Sequence, residues 1–219
     1  MKQAASTGSL KLGTDPRARL IRQLQLPFQI VRRLDLYVEL LCRWSKITDL
    51  VADATPPVIW ARHIEDSAQI LELAPDATRW LDLGSGAGFP GMVIAILLSE
   101  NVEAVVHCVE SNRRKCAFLR QVARQTTAPA NVHGSRIETL SPDLVCPVDA
   151  VTARALAPLP KLFEFSKVWI ERGAVAIFPR GRTLPNEVPT LTAESRFDFE
   201  MFSSRTDPSS GIVRIRRKE

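Results

Sequence analysis

The chain has 219 residues, 45% of them hydrophobic, so it is long enough to bury one sizeable core and too short for two large domains. Its formal net charge of +5 is modest for a protein that binds nucleic acid, but it agrees with an anionic partner. The longest apolar run, residues 92–98, is too short to cross a bilayer, and residues 1–10 lack the apolar stretch of a secretory signal, so we expect a cytoplasmic protein with no membrane partner.

The N-terminal part of the chain has the periodicity of helices. Residues 1–13 predict a disordered tail, and Thr14-Asp15-Pro16 is typical of a helix start, with a capping residue followed by proline at a first helical position. Apolar residues at helical spacing follow at positions 20, 24, 28, 31, 34, 38 and 41, and Pro27 divides this pattern into two helices. We predict a small helical extension over residues 14–78.

The remainder, residues 79–219, predicts an α/β domain. Strand patterns near 80–83, 104–109, 130–133, 148–152 and 173–178 alternate with helical segments, which favours a Rossmann-like, mostly parallel sheet. Residues 197–202 and 211–216 predict a closing antiparallel hairpin.

A glycine-rich segment joins the first predicted strand to an apolar helix. Gly86, Gly88 and Gly91 satisfy the dinucleotide pattern G-x-G-x-x-G, in which bare backbone and a helix N-terminus favour an anionic group. A nicotinamide or flavin site is therefore one alternative. Asp82 stands two residues before Gly84, inside the strand end, where a carboxylate suits the ammonium group of an amino-acid ligand.

The second predicted strand ends in another acid. Glu110 lies 19 residues beyond Gly91, at the strand tip where Rossmann-type sheets bind ribose hydroxyls. This position indicates a nucleoside without selecting among adenosine-containing cofactors.

Three segments carry a recognisable family pattern: residues 82–91, 110–123 and 152–159. Together they closely resemble the small-subunit ribosomal RNA methyltransferase G family, also called glucose-inhibited division protein B. Residues 44–51 and 62–67 extend the resemblance, which covers about 28–182. It implies a class I methyltransferase that uses S-adenosylmethionine to methylate N7 of a guanine in 16S ribosomal RNA, either free or within the small ribosomal subunit.

The same resemblance implies cofactor-binding positions. Gly84, Phe89, Ile137, Glu138 and Arg154 match the positions that the family uses for its cofactor. With the residues singled out above, the predicted cofactor set is Asp82, Gly84, Gly86, Gly88, Phe89, Glu110, Ile137, Glu138 and Arg154. Two positions depart from the family pattern: Asp49 stands in place of Asn, and Arg180 in place of Lys. The first departure puts any substrate contact of Asp49 in doubt, and the second keeps a cation with different geometry.

The sequence predicts no catalytic acid, base or nucleophile. Thr152-Ala-Arg-Ala155 lacks the acid or Asn, the two prolines and the aromatic residue found in enzymes that methylate an exocyclic amine. Cys146-Pro147 has the wrong order and place for a nucleophile that attacks a pyrimidine carbon. A ring nitrogen with a free lone pair needs neither an amine-binding motif nor a cysteine nucleophile. We therefore expect catalysis to depend on the placement of the base relative to the methyl donor. A nicotinamide-dependent oxidoreductase and a non-catalytic nucleotide-binding module stay open as alternatives.

Grouped arginines indicate where an RNA would bind. Arg113, Arg120 and Arg124 share helical spacing, and we include Arg180 in the predicted RNA-binding set. The C-terminal cluster of Arg214, Arg216 and Arg217 fits phosphate contacts and a solvated surface equally well. We expect a monomer.

Neither cysteines nor histidines have the spacing of a metal site. Cys42, Cys108, Cys116 and Cys146 contain no C-x-x-C pair, and the three histidines are scattered, so no metal is expected. His63 precedes Glu65, Asp66 and Ser67, but no nucleophile elbow accompanies them, so we interpret His63 as a helix-surface or interdomain hydrogen-bonding residue.

Overall fold

The computed structural model describes residues 15–181, 188 and 196–218. The predicted tail over residues 1–13 lies outside them.

Two N-terminal helices confirm the predicted division at Pro27. Helix α1 spans Pro16–Leu24, and its N-cap residue Asp15 accepts a hydrogen bond from the Arg17 amide. Helix α2 spans Phe28–Trp44 and buries the apolar face that the spacing predicts. Phe28 is the exception: it is the first residue of α2 and is 69% exposed, with the Arg32 guanidinium 5.9 Å from the centre of its ring.

A nearly continuous helical segment follows. It consists of α3 (Pro56–Val58), a π-helical stretch (Ile59–Ile64) and α4 (Glu65–Ala68). A single 3-10 turn, Leu71–Leu73, then leads to the sheet. Helix α2 packs against two helices of the sheet domain, so both regions share one core, and the predicted domain boundary at residue 78 stays a prediction.

The strands agree closely with the predicted ones. Their bounds are β1 Arg79–Leu83, β2 Val105–Val109, β3 Ala130–His133, β4 Ala150–Thr152, β5 Val175–Arg180, β6 Phe197–Ser203 and β7 Gly211–Arg217. Strand β4 begins two residues later than predicted, directly after Asp149, whose side chain accepts hydrogen bonds from the amides of Thr78 and Arg79.

The sheet has the strand order β3-β2-β1-β4-β5-β7-β6. Strands β1 to β5 pair in parallel, and β7 pairs antiparallel with both β5 and β6. The predicted α/β fold, with a mostly parallel sheet and a closing hairpin, is confirmed. All five parallel strands end at the same edge, where ligands of open α/β sheets gather.

Helices connect the parallel strands and cover both faces of the sheet. They are α5 (Gly91–Leu97), α6 (Arg113–Thr126), α7 (Pro142–Val145) and α8 (Leu159–Glu171), with a 3-10 turn at Ile137–Thr139. One apolar cluster lies between the sheet and α2, α5 and α6, and a second between the sheet, α8 and the hairpin. These two clusters bury both faces of the sheet.

Candidate functional site

A cavity of about 450 Å³ opens at the carboxyl ends of β1, β2 and β4. We call it the first cavity. Seven of the nine predicted cofactor residues line it: Gly84, Gly86, Phe89, Glu110, Ile137, Glu138 and Arg154. The topology brings these residues together from the segments that follow β1, β2, β3 and β4.

The loop after β1 turns sharply over the floor of the first cavity. The Gly88 amide donates to the Ser85 carbonyl at 2.7 Å, and Gly84, Gly86 and Gly88 have φ of +69°, +57° and +97°. A Cβ on Gly86 would meet no atom closer than the Gly84 carbonyl oxygen at 3.8 Å. The backbone at Gly86 is therefore open to a ligand on one side.

Glu110 holds this loop and the start of α6 together. Its Oε2 accepts from the Gly86 amide at 2.9 Å, and its Oε1 accepts from the Asn112 amide at 2.7 Å. Asn112 in turn caps α6 by accepting from the amide of Arg114. One carboxylate thus fixes two of the walls that a ligand would contact.

Asp82 does not line the first cavity. It is completely buried beneath the loop, where its Oδ2 accepts from the Gly91 amide at 3.1 Å. Its Oδ1 is also buried and has no hydrogen-bond partner among the residues that the structure describes. Burial raises the pKa of Asp82 to about 6, and the nearby Glu110 carboxylate acts in the same direction.

Gly88 also lies outside the lining. A Cβ there would approach the Met92 Cβ to 2.8 Å and the Tyr37 hydroxyl oxygen to 2.9 Å. The Tyr37 hydroxyl donates to the Ala87 carbonyl at 2.6 Å, and the Tyr37 ring packs against Phe89. The contacts of Gly88 are therefore with the loop's own packing rather than with the cavity.

Arg154 stands where the N-terminal helical segment meets the sheet edge. Its Nη2 donates to His63 Nδ1 at 3.0 Å, and its guanidinium lies 5.0 Å from the centre of the Phe89 ring. Its Nη1 lies 3.4 Å from Asp66 Oδ2, so the cation is both stacked and paired. His63, interpreted from the sequence as a helix-surface or interdomain hydrogen-bonding residue, thus makes a hydrogen bond to a residue that follows β4.

The residue after Arg154 is strained. Ala155 has φ of +53°, a left-handed conformation that non-glycine residues seldom adopt. Ala155 and Arg154 both contribute to the first cavity and to a neighbouring one. The strained residue Ala155 therefore lies where the two cavities meet.

This second cavity has a volume of about 600 Å³. It shares four residues with the first cavity: Leu50, Val51, Arg154 and Ala155. Its other walls include Arg62, His63, Asp66, Arg180 and residues of the turn between β6 and β7. Two ligands bound in the two cavities would meet beside Arg154.

The predicted RNA-binding arginines fall in two places. Arg113, Arg120 and Arg124 are exposed along one side of α6, where Arg120 also donates to the Val132 carbonyl. Arg180 lies in the second cavity and donates to the Ala157 carbonyl at 2.8 Å. Asp49 is exposed and lines neither cavity.

The C-terminal arginines take part in structural contacts. Arg214 and Arg216 both pair with Glu200 on the neighbouring strand, at 2.6 and 2.5 Å. Arg217 donates to the Glu171 carbonyl. Arg214 and Arg216 therefore join the two strands of the hairpin, and Arg217 links β7 to α8.

Within residues 15–181, 188 and 196–218, no group of three or more His, Cys, Asp or Glu side chains could hold a metal ion. In the same part of the chain, no helix combines the length and apolar character that a membrane span requires.

Comparison with known proteins identifies the chain. The family described as rRNA small subunit methyltransferase G matches residues 30–206. The chain belongs to this family. It is 43% identical to a ribosomal RNA small subunit methyltransferase G of Methylorubrum extorquens over 204 residues, which covers 93% of this chain and 96% of that protein. A Bradyrhizobium relative of the same name is 43% identical over 215 residues, or 98% of this chain and 97% of that protein.

The fold agrees with that membership. An O-methyltransferase from Bacillus cereus, solved in complex with SAH, superposes with a TM-score of 0.62 at 16% identity and covers 91% of this chain and 96% of that one. The predicted class I methyltransferase sheet is confirmed. The family assignment favours the methyltransferase over the oxidoreductase and over the non-catalytic module.

Sequence reasoning missed several residues of the site. Leu50, Val51, Ser135, Arg136 and Leu156 line the first cavity, although none stands in the glycine loop. Tyr37 supports that loop from α2, and one signal was available: it is the only tyrosine of the chain and stands in an apolar helical pattern. A buried tyrosine hydroxyl requires a partner.

Proposed function

We propose that this chain methylates N7 of a guanine in 16S ribosomal RNA and that it binds S-adenosylmethionine in the first cavity. The observation that carries this proposal is the cavity at the carboxyl ends of β1, β2 and β4, in a chain of this family. The names of the relatives supply ribosomal RNA as the substrate class. The family resemblance supplies the guanine.

The residues of the first cavity fit the methyl donor. Gly86 leaves backbone open beside the loop, and the carboxylate of Glu110 lies where ribose hydroxyls would find an acceptor. Ile137 and Glu138 offer an apolar side chain and a polar edge for an adenine. Asp82 does not line this cavity, but its Oδ1 is buried beneath the loop without a partner in the described chain, so an ammonium group held above the loop would stabilise the ionised carboxylate by charge rather than by direct contact.

The second cavity fits the acceptor base. S-adenosylmethionine supplies, when bound, an electrophilic methyl group. Arg154 separates the two cavities and is held by His63 and Asp66, so it fixes the distance between their contents. Guanine N7 has a free lone pair at neutral pH, so the chain needs no general base. Orientation alone can supply about 7–11 kcal/mol of a barrier in well-ordered sites.

Arg113, Arg120, Arg124 and Arg180 are proposed to contact RNA phosphates. The first three share an exposed side of α6, and the fourth lies in the second cavity. We further propose that the chain works as a cytoplasmic monomer, with free ribosomal RNA or the assembled small subunit as its partner. Methylation rates on these two substrates would distinguish them, and sedimentation would test the monomer.

Nucleoside mass spectrometry tests the proposal. Ribosomal RNA from cells lacking the gene is incubated with the purified chain and S-adenosylmethionine, then digested. We expect one additional 7-methylguanosine, and none when the target guanine is replaced by its 7-deaza analogue. Methylation of the deaza RNA, or calorimetric binding of NAD but not of S-adenosylmethionine, would contradict the proposal.

The variant Gly86→Ala tests the proposed donor site by calorimetry. The added methyl group would project into the open side of the loop, so we expect donor binding to be lost. Because φ at Gly86 is +57°, the substitution costs about 1–2 kcal/mol of folding free energy. Circular dichroism would verify that the variant is folded before binding is measured.

A further inference from the structure

His63 is held between an aromatic ring and a cation. Its imidazole stacks on Phe89 with ring centres 4.8 Å apart and an interplanar angle of 27°. Its Nδ1 lies 3.0 Å from Arg154 Nη2. These two contacts fix both the plane and the rotation of the imidazole ring.

The contact with Arg154 also decides which ring nitrogen carries the proton. A guanidinium has only donors, so Nδ1 must be the acceptor in this hydrogen bond. The proton of the neutral ring is therefore on Nε2. Burial and the charges of Arg154 and Arg62 lower the pKa of His63 to about 4, against a weaker opposing effect of Asp53, so the ring is neutral at pH 7.

The Nε2–H group is available to a ligand. It makes no hydrogen bond within the part of the chain that the structure describes, and His63 belongs to the wall of the second cavity. Arg154 is itself braced by Asp66, which accepts from the Thr206 hydroxyl at 3.1 Å and from Gln69 at 2.8 Å. The second cavity thus contains a donor whose direction is set by a series of partly buried contacts.

We propose that His63 is the residue that selects guanine, by donating its Nε2–H to O6 of the base. This inference rests on the function proposed above. Guanine presents N7 and O6 as neighbouring acceptors on one edge, whereas adenine has an amino donor in place of O6. Because the N7 lone pair must stay free for the methyl group, O6 is the acceptor on that edge that a protein donor can use. An amino group facing Nε2–H would leave two donors opposed.

Base analogues at the target position test this assignment. One RNA is made with guanine, one with hypoxanthine, which keeps N7 and O6, and one with 2-aminopurine, which keeps N7 and lacks O6. The wild-type chain is expected to methylate the first two with similar kcat/KM and the third about tenfold to a hundredfold more slowly. Equal rates on guanine and 2-aminopurine would overturn the inference.

Two variants assign that preference to the histidine. His63→Phe keeps an aromatic ring against Phe89 but has no donor, so it is expected to lower kcat/KM on guanine by about tenfold and to lose the preference over 2-aminopurine. His63→Gln can accept from Arg154 through Oε1 and donate through Nε2, so it is expected to retain the preference. His107→Phe is the matched control, because His107 is half-buried in β2 and bonds to His133 outside both cavities.

The outcomes separate this inference from the function on which it rests. If His63→Phe lowers the rates on guanine and 2-aminopurine by the same factor, His63 has only a structural role and the inference is wrong. Binding of S-adenosylmethionine, measured by calorimetry, is expected to be unchanged in His107→Phe, and the His63 variants are compared at saturating donor, so that any change transmitted through Phe89 and Arg154 to the donor site does not enter the base preference. If the wild-type chain binds the donor but methylates no guanine in RNA, the proposed function fails together with the inference.

Discussion

The buried carboxylate of Asp82 makes a measurable prediction about stability. Its pKa is about 6 in the folded chain, against an ordinary value of 3.8. The folded state therefore binds this proton more tightly than the unfolded state does. As the pH rises from about 4 to about 7, the folded state must accommodate a buried charge, and the free energy of unfolding falls.

The magnitude follows from the difference between the two pKa values. Ionisation of buried Asp82 lowers the free energy of unfolding by about 3 kcal/mol. This loss is complete above pH 7 and absent below pH 4. Asp82→Asn does not titrate at this position, and its amide oxygen can still accept from the Gly91 amide. The stability of this variant relative to the wild-type chain should therefore increase by about 3 kcal/mol between pH 4 and pH 7.5.

Urea unfolding followed by tryptophan fluorescence, with both proteins measured at each pH, gives this difference directly. Groups that do not interact with Asp82 contribute equally to the two curves and cancel in the difference. Calorimetry adds a second readout: affinity for S-adenosylmethionine should rise through pH 6 in the wild-type chain only, because the ammonium group would stabilise the ionised Asp82. Parallel stability curves for the two proteins would refute the reasoning.

Three further predictions concern packing and RNA. Tyr37→Phe leaves a loop carbonyl buried without its donor, so urea unfolding should show a loss of about 1–3 kcal/mol, and no loss would mean that water replaces the hydroxyl. Gly91→Ala would place a Cβ 2.5 Å from Asp82 Oδ2, so we expect about 1–3 kcal/mol of destabilisation and weaker donor binding, whereas an unchanged melting temperature would contradict this close packing. Replacing Arg113 and Arg124 together by Ala should reduce the slope of the logarithm of the RNA-binding constant against the logarithm of salt concentration by about 2, without changing donor affinity. An unchanged slope would place the RNA elsewhere.

Most of the fold could be predicted from the sequence because its signals are local. Apolar strands alternate with amphipathic helices, and Pro27 divides α1 from α2. The start of β4 was less predictable. It follows Asp149, whose side chain accepts hydrogen bonds from the amides of residues 78 and 79, which are distant in sequence.

The candidate site was only partly predictable. Glu110 was predicted from its place at the tip of the second strand, and Arg154 from the family resemblance, and both line the first cavity. The burial of Asp82 outside the cavity lining was not predicted, because periodicity does not distinguish a side chain that lines a cavity from one that lies beneath its floor. The pairing of His63 with Arg154 joins residues 91 positions apart and leaves no periodic signal.

The most direct test of the account is a crystal structure of the chain with S-adenosylhomocysteine. We predict the adenosine between Glu110 and Ile137, the amino-acid portion over the glycine loop, and the sulfur directed to the second cavity beside Arg154. A ligand bound outside the first cavity, or a first cavity closed by protein side chains in the complex, would contradict the account.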